Sequence, residues 1–299
     1  PLGIAATEFI AETHLPAIAH HHDFYWERTR FQRSAINDYL EKCFPPRIPE
    51  LQHVVINQAA REELSWRKGI SSVLVPNVHD FAQPAPGVDN YTRDLRKDIG
   101  LEPRDIMVLQ PTRIVPRKGI EHAIQLIHMM KDSRYKLVVS HAAGDEGMDY
   151  KNMIDELAAS RNVDVRYISD RIGEIRQIDT QGRKVYTLWD LYPHADIVSY
   201  PSIYEGYGNA FLEAVYFRKP IIVNRYSVFE RDIAPCGYNV IAFDGFPTSD
   251  IVEEIRRVLD DTDYRQKMCD LNYRIAMKYN DYRMLERKLK AMISIKNVI

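Results

Sequence analysis

The chain has 299 residues, 45% of them hydrophobic and 27% charged, with a formal net charge of -2. That length fits two domains, and the near-neutral balance excludes the basic footprint of a general nucleic-acid binder. Cys43, Cys236 and Cys269 lie far apart without CxxC spacing, which reads as reduced thiols in a cytoplasmic protein rather than a disulfide framework. No apolar run reaches the ~18–20 residues of a membrane span, and no secretory signal is visible.

The first residues, "PLGIAATEFIAETHLPAIAHHH", start without Met and read as a helix over Leu2–Glu12 feeding a short strand at Ala17–Ala19. This is an entry into mid-domain, so an amino-terminal portion of the natural protein is expected to be missing. A polar, aromatic and charged helix is predicted from Tyr25 to about Glu41, and "CFPPRIP" is a loop, its three prolines removing backbone donors. "HVVIN" reads as a buried strand, "QAAREELSWRKG" as a helix ended by Gly69, and "SSVLVPNVHDF" as a strand running into a loop. The rhythm is strand–helix–strand of the parallel type.

"AQPAPGVDN" is rich in Pro and Gly without hydrophobic period, so a linker is expected at 83–93. Beyond it the rhythm restarts. Strands are predicted at "DIMVLQPTR", "YKLVVSHAAG", "VDVRYIS", "DIVSYPS", "KPIIVNR" and "NVIAF", and helices at "GIEHAIQLIHMMK", "YKNMIDELAASRN" and "TLWDLYPHA". "YSVFERDI" reads as a loop. Two amphipathic helices close the chain, Asp250–Asp260 being the clearest, and "DYRMLERKLKAMISIKNVI" is a basic one. Short apolar runs alternating with helices predict an α/β protein with a doubly wound parallel sheet, whose ligand groups gather at the carboxyl ends of the strands.

Three stretches in such positions carry candidate chemistry. "PTRIVPRKGIEHAI" places Arg113, Arg117 and Lys118 between a strand end and a helix start, where amides and the helix dipole already favour an anion. A solvated basic turn is the bland alternative. "EGYGNAFLE" puts Glu205 at a strand end, Gly206 and Gly208 in a tight turn, and Glu213 a turn into the next helix. Carboxylates there suit the vicinal hydroxyls of a sugar or ribose. "AIAHHHDFYWERTRF" has three successive His, but neighbours on a strand face opposite ways. Only His20 and His22 could share a ligand, so no metal site is expected.

Together these features resemble a known family. "EGYGNAFLE" is similar to the E-x7-E motif of the retaining, nucleotide-sugar-dependent glycosyltransferases of GT-B fold (glycosyltransferase group 1), which include sucrose-phosphate synthases and bacterial mannosyltransferases. "RIVPRKG" is similar to that family's R-x4-K-G diphosphate clamp, and "VPNVHDF" to the "PNGVD" that ends its first domain. The resemblance covers nearly the whole chain.

It implies two Rossmann-like doubly wound domains, the amino-terminal one incomplete. Residues 1–82 would be the carboxyl part of the acceptor-side domain, 94–278 the nucleotide-sugar domain, and 279–299 a helix crossing back. Arg113 and Lys118 would neutralise the donor diphosphate, Glu213 would hold the ribose hydroxyls and Glu205 would contact the donor sugar. Gly206, Tyr207, Gly208, Asn209 and Ala210 would support sugar hydroxyls or phosphate. His22, with His21 as fallback, would face the donor sugar. Asp23 and Tyr25, in the run Tyr25–Arg28, would lie on the acceptor side, a helix packed by its aromatics being equally open. Arg117 is extra to the pattern and reads as solvated.

The implied reaction is a retaining, metal-independent transfer without cofactor. The donor is a UDP-, GDP- or ADP-linked sugar, and the acceptor a sugar, sugar phosphate or lipid-linked hydroxyl. A peripheral membrane contact through the last helix is a further expectation. The alternatives are a truncated or non-catalytic nucleotide-sugar-binding module, and a phosphorylase or epimerase of the same fold. The sequence departs from the pattern in three places. Tyr226 and Ser227 stand where the family has Gly-Gly before an acid, here Glu230. The stretch "SDRIGEIRQIDTQGRKVYTLWDL" is longer than usual, and "VSHAAGD" lacks the usual first Gly. Neither sugar nor base is therefore assigned.

Overall fold

The computed structural model describes residues 2–27, 34–144 and 148–296. They fall into two compact units, one within Pro1–Val78 and Tyr282–Ile299, the other His79–Asp281.

In the first unit α1 (Leu2–Thr13) leads into β1 (Ala17–His21). A 3-10 turn at Tyr25–Glu27, α2 (Asn37–Cys43), β2 (Leu51–Val55), α3 (Gln58–Lys68) and β3 (Ser72–Leu74) follow. The sheet is parallel, order β1-β2-β3, with Ala17 opposite Leu51 and Val55 opposite Leu74. Asn57 caps α3 by accepting the Ala60 amide at 2.7 Å, and α3 buries Ala60 and Leu64 against Phe24, Val55 and Ile70.

The helix predicted over Tyr25–Glu41 is not continuous. Phe24 is buried, and its amide donates to Glu27 Oε2 at 3.2 Å while its carbonyl accepts the Glu27 amide, which closes one tight turn. Ser34–Ile36 lie outside any helix. Arg28 lies outside the described residues.

The second unit begins at His79 and includes the stretch 83–93 read as a linker. Phe81 is 2% exposed, packed edge-on against Tyr216 and Tyr273, and the Tyr273 hydroxyl donates to its carbonyl at 2.7 Å. Tyr216 likewise donates to the Pro84 carbonyl at 3.1 Å. One aromatic anchor and two phenol–carbonyl bonds hold a Pro-rich segment that composition alone leaves free.

There follow α4 (Leu95–Asp98), β4 (Ile106–Gln110), α5 (Ile120–Met130), β5 (Tyr135–Val139), α6 (Met148–Arg161) and β6 (Asp164–Tyr167). Next come β7 (Gln177–Ile178), β8 (Lys184–Val185), α7 (Leu188–Leu191), β9 (Ile197–Tyr200), α8 (Asn209–Tyr216), β10 (Ile221–Asn224) and β11 (Ile241–Phe243). The unit closes on α9 (Ser249–Asp260) and α10 (Thr262–Tyr279). Six parallel strands run in the order β11-β10-β9-β4-β5-β6. Counted from β4 this is the doubly wound order, with the reversal between β4 and β9, where a ligand crevice is expected outside the strands' carboxyl ends. The strands are apolar on both faces, as burial beneath two helical layers requires: Leu137, Ile197, Val198 and Val223 have no exposed surface.

Three local differences from the predictions have physical causes. The long stretch before β9 is a hairpin of β7 and β8, its turn closed by Asp179 accepting the Gln181 and Arg183 amides, each at 2.8 Å. The "YSVFERDI" segment contains a π-helical turn, Phe229–Ile233, that buries Phe229 and Ile233. Three helices rather than two close the chain, and the buried face of α10 includes the polar Asn272, which interrupts its apolar period. That side chain accepts the Asn239 amide at 2.7 Å and donates to the Asn239 carbonyl at 2.6 Å.

The last helix, α11 (Tyr282–Lys296), belongs to the first unit. Met292 packs with Val54 and Val75, and Lys288 donates to the Leu74 carbonyl. Among the described residues no helix is long and apolar enough to cross a membrane, and Cys43, Cys236 and Cys269 are free thiols.

Candidate active site at the strand-order reversal

The turn after β4 and the turn after β9 flank the reversal, and they are fastened to each other. The first runs through a 3-10 turn at Pro116–Lys118 to Gly119, whose φ of 62° starts α5. A Cβ at Gly119 would lie 2.3 Å from the Pro201 carbonyl oxygen, so this position needs glycine both for its left-handed backbone and for the approach of the second turn. The Ile203 amide donates to the Arg117 carbonyl at 2.9 Å, and Asn224 at the end of β10 donates to the Ser202 carbonyl at 3.3 Å. Gly119→Ala combines backbone strain with overlap against a carbonyl that cannot swing away. It is expected to cost about 3 kcal/mol, read as a lowered thermal midpoint.

Side chains complete the link. Lys118, 8% exposed, forms an ion pair with Glu205, and Arg117 Nη1 reaches Glu205 Oε2 at 3.1 Å. Arg117, read as solvated, is thus a second clamp on Glu205. Burial alone would raise the Glu205 pKa, but the Lys118 ammonium, with Arg117 beside it, outweighs it and holds the carboxyl below its ordinary value. Burial lowers the Lys118 pKa while Glu205 supports its charge. Arg113 differs: it is exposed, and its side chain makes no hydrogen bond or ion pair among the described residues.

Beside these cations stands His141, a residue the sequence reading missed because the family pattern places glycine there. Its Nδ1 lies 2.7 Å from Ser140 Oγ just past β5. Burial first, then Arg113 and Lys118, lower its pKa, so at neutral pH it is an uncharged hydrogen-bonding ring within a cationic cluster.

In the glycine turn, Gly208 has φ 124° and opens α8. A Cβ there would meet the Tyr226 hydroxyl at 2.9 Å and that of Tyr200 at 3.1 Å. Tyr226, which replaces glycine in the family pattern, is buried and donates to the Tyr207 carbonyl at 2.7 Å. It supports the turn from beneath. Tyr207 is itself buried, and its hydroxyl accepts from Asn280 Nδ2 at 2.7 Å. Its carbonyl and hydroxyl are both engaged internally. Glu230 is exposed and paired with Arg225 at 2.7 Å.

Glu213 lies within α8, where the Tyr192 hydroxyl donates to its Oε2 at 2.7 Å and Tyr192 stacks on Phe217 at 4.8 Å. Burial raises its pKa, opposed only in part by the Tyr192 bond. A carboxyl raised in the folded state is most favourable below its ordinary value of 4.5 and loses stability as pH rises through it. Glu213→Gln is therefore expected to raise the thermal midpoint at pH 7 relative to wild type and to show no advantage at pH 4.

His22, Asp23 and Tyr25 belong to the first unit. His22 and Asp23 are exposed beyond β1, and the His22 ring lies 4.8 Å from that of His20. The fallback, His21, meets His53 Nδ1 at 2.9 Å; burial and the neighbouring His53 lower its pKa to about 4. Tyr25 donates to Glu41 at 2.9 Å, next to the last turn of α3. Among the described residues no three His, Cys, Asp or Glu side chains converge as a metal site.

Comparison with known proteins decides the family. The profile described as "Glycosyl transferases group 1" matches residues 92–273, the greater part of the second unit. The chain belongs to the glycosyl transferases group 1 family. Mannosylglucosylglycerate synthase of Petrotoga mobilis is 35% identical over 260 residues, 80% of this chain and 59% of that protein. The enzyme of the same name from Thermotoga maritima is 34% identical over 301 residues, 90% of this chain and 68% of that protein. The chain thus spans about three fifths of the length of the Petrotoga relative. Anabaena Alr3699/HepE, solved in complex with UDP-glucose, superposes with a TM-score of 0.71 at 15% identity, over 93% of this chain and 72% of that one. Sucrose-phosphate synthase from Thermosynechococcus elongatus gives 0.68 at 16%, over 94% and 68%. These likenesses show an α/β fold of GT-B type for this group 1 glycosyltransferase.

Proposed function

We propose that the protein is a retaining hexosyltransferase that moves a sugar from a nucleoside-diphosphate donor to an acceptor hydroxyl. The observation that carries the proposal is the fastening of the cationic turn to the Glu205 turn at the strand-order reversal, with Arg113 exposed beside it and without a hydrogen bond or ion pair among the described residues. Arg113 and Lys118 take the charge that builds on the diphosphate as the bond from the anomeric carbon breaks. Preorganised cations aimed at developing charge are usually the largest catalytic contribution. In this reading Glu205 first holds the Lys118 ammonium in place, and its remaining lone pairs face the sugar. Glu213 receives the ribose hydroxyls, and the α8 amides near Ala210 receive a sugar or phosphate oxygen.

The acceptor oxygen attacks on the face the phosphate leaves. Its proton passes to the departing phosphate oxygen, so no protein nucleophile is needed, and the two cations do the work otherwise given to a metal. The names of the relatives at 34–35% identity point to a mannosyl donor and a small glycerate glycoside as acceptor. A thermal-shift panel of UDP-, GDP- and ADP-sugars tests donor binding, since a ligand of the folded state raises the midpoint with its concentration over Kd. The anomeric configuration of the product by NMR tests retention, and an inverted product overturns it. Binding without transfer favours the nucleotide-sugar-binding module.

A further inference from the structure

A cavity of about 410 Å³ opens on the first unit, lined by Tyr25, Trp26, Trp66, Glu41, Arg67 and Lys68. It adjoins the last turn of α3. The chain enters that 11-residue helix from the carboxyl end of β2, and at 1.5 Å per residue the cavity lies roughly 16 Å back along it.

Two of the three tryptophans of the chain line this cavity. Trp26 is packed from behind by Phe24, ring to ring at 4.4 Å, so its position has a structural cause. Trp66 has none: it is 80% exposed, an apolar surface that folding does not require. The Arg67 guanidinium sits between the two indoles, 5.5 Å from the Trp26 ring and 5.3 Å from the Trp66 ring. Among the described residues its Nε alone is engaged, on Glu63 at 2.8 Å. Glu41 accepts from Lys68 at 2.7 Å and from Tyr25 at 2.9 Å, while its side chain stays 65% exposed.

Among the described residues each of these cations has a carboxylate partner, Lys68 with Glu41 and Arg67 with Glu63. The cavity offers flat aromatic faces beside a carboxylate and a guanidinium edge. That combination matches a ring whose faces are C–H and whose rim is hydroxyl. The cavity also falls in the ~300–1,000 Å³ range of small-molecule sites.

We propose that this cavity is a second carbohydrate site that binds a neutral pyranoside, with the sugar ring stacked on Trp66 and its hydroxyls on Glu41 and Arg67. The proposal does not rest on the donor reading. The test follows the three indole N–H signals by NMR while methyl α-D-glucopyranoside or methyl α-D-mannopyranoside is added. The signals are assigned with Trp66→Phe and Trp189→Phe.

The Trp26 and Trp66 signals should shift saturably, with a Kd of about 1 mM for a ligand of this size, while Trp189 stays. Trp66→Ala, an exposed position whose fold is checked by its melting curve, should weaken the response of Trp26 at least tenfold and leave sugar transfer from the donor unchanged. Trp66→Phe should fall between the two. A response that does not saturate, that is unaffected in Trp66→Ala, or that inorganic phosphate reproduces, overturns the proposal.

Discussion

Replacing Lys118 by Ala is expected to lower both turnover and stability, and the two effects separate in a double variant. Lys118 is nearly buried and faces Glu205, also buried. Removing the ammonium leaves a buried carboxylate with Arg117 as its remaining cation. Loss of one partner of a buried pair costs about 3 kcal/mol, a fall of roughly 6–12 °C in the midpoint of a unit of this size. Turnover should fall about 100- to 1,000-fold for the loss of one charge-stabilising donor.

The double variant Lys118→Met with Glu205→Gln removes the uncompensated charge. A buried ion pair replaced as a whole by neutral groups is often close to neutral in stability. It should therefore regain most of the lost midpoint yet remain as inactive as Lys118→Ala. Melting curves and steady-state rates on the single and double variants form the cycle. If activity returned together with stability, Lys118 would be a structural residue, and the diphosphate reading would fail.

Arg113→Ala should behave in the opposite way. Its side chain is exposed and makes no hydrogen bond or ion pair among the described residues, so the midpoint should move by no more than about 0.5 kcal/mol equivalent. Turnover should still fall about 100-fold or more, because the guanidinium is held available for the departing diphosphate. Arg113→Lys keeps a point charge but loses the planar fork that matches phosphate oxygens, and should recover only part of the rate. Near-normal transfer by Arg113→Ala would remove the residue from the site and leave Lys118 as the sole clamp.

The contrast between these two residues shows how far local sequence carries. Arg113 and Lys118 share one short turn, and both follow from the position of cations between a strand end and a helix start. Their different states do not. Lys118 is buried against Glu205, and Arg113 is exposed. Arg117 was read as surplus charge for the same reason: the carboxylate it clamps is remote in sequence. His141 was passed over because the family pattern has glycine after that strand, and its meaning comes from two cations on a neighbouring loop.

By itself the sequence determined the α/β class, the rhythm of parallel strands and helices, and the two turns that carry the candidate chemistry. These follow from hydrophobic period, glycine and charge at short range. Only the tertiary structure decided the strand order that brings β4 beside β9, and the pairing of Glu205 with Lys118 and Arg117. It alone decided the burial of Tyr207 and Tyr226 beneath the glycine turn. It alone anchored the Pro-rich stretch from His79 onward through Phe81. Each of these is a contact between residues far apart along the chain. Its free energy depends on what is excluded from water together, and that is settled when the sheet closes rather than when the turn is written.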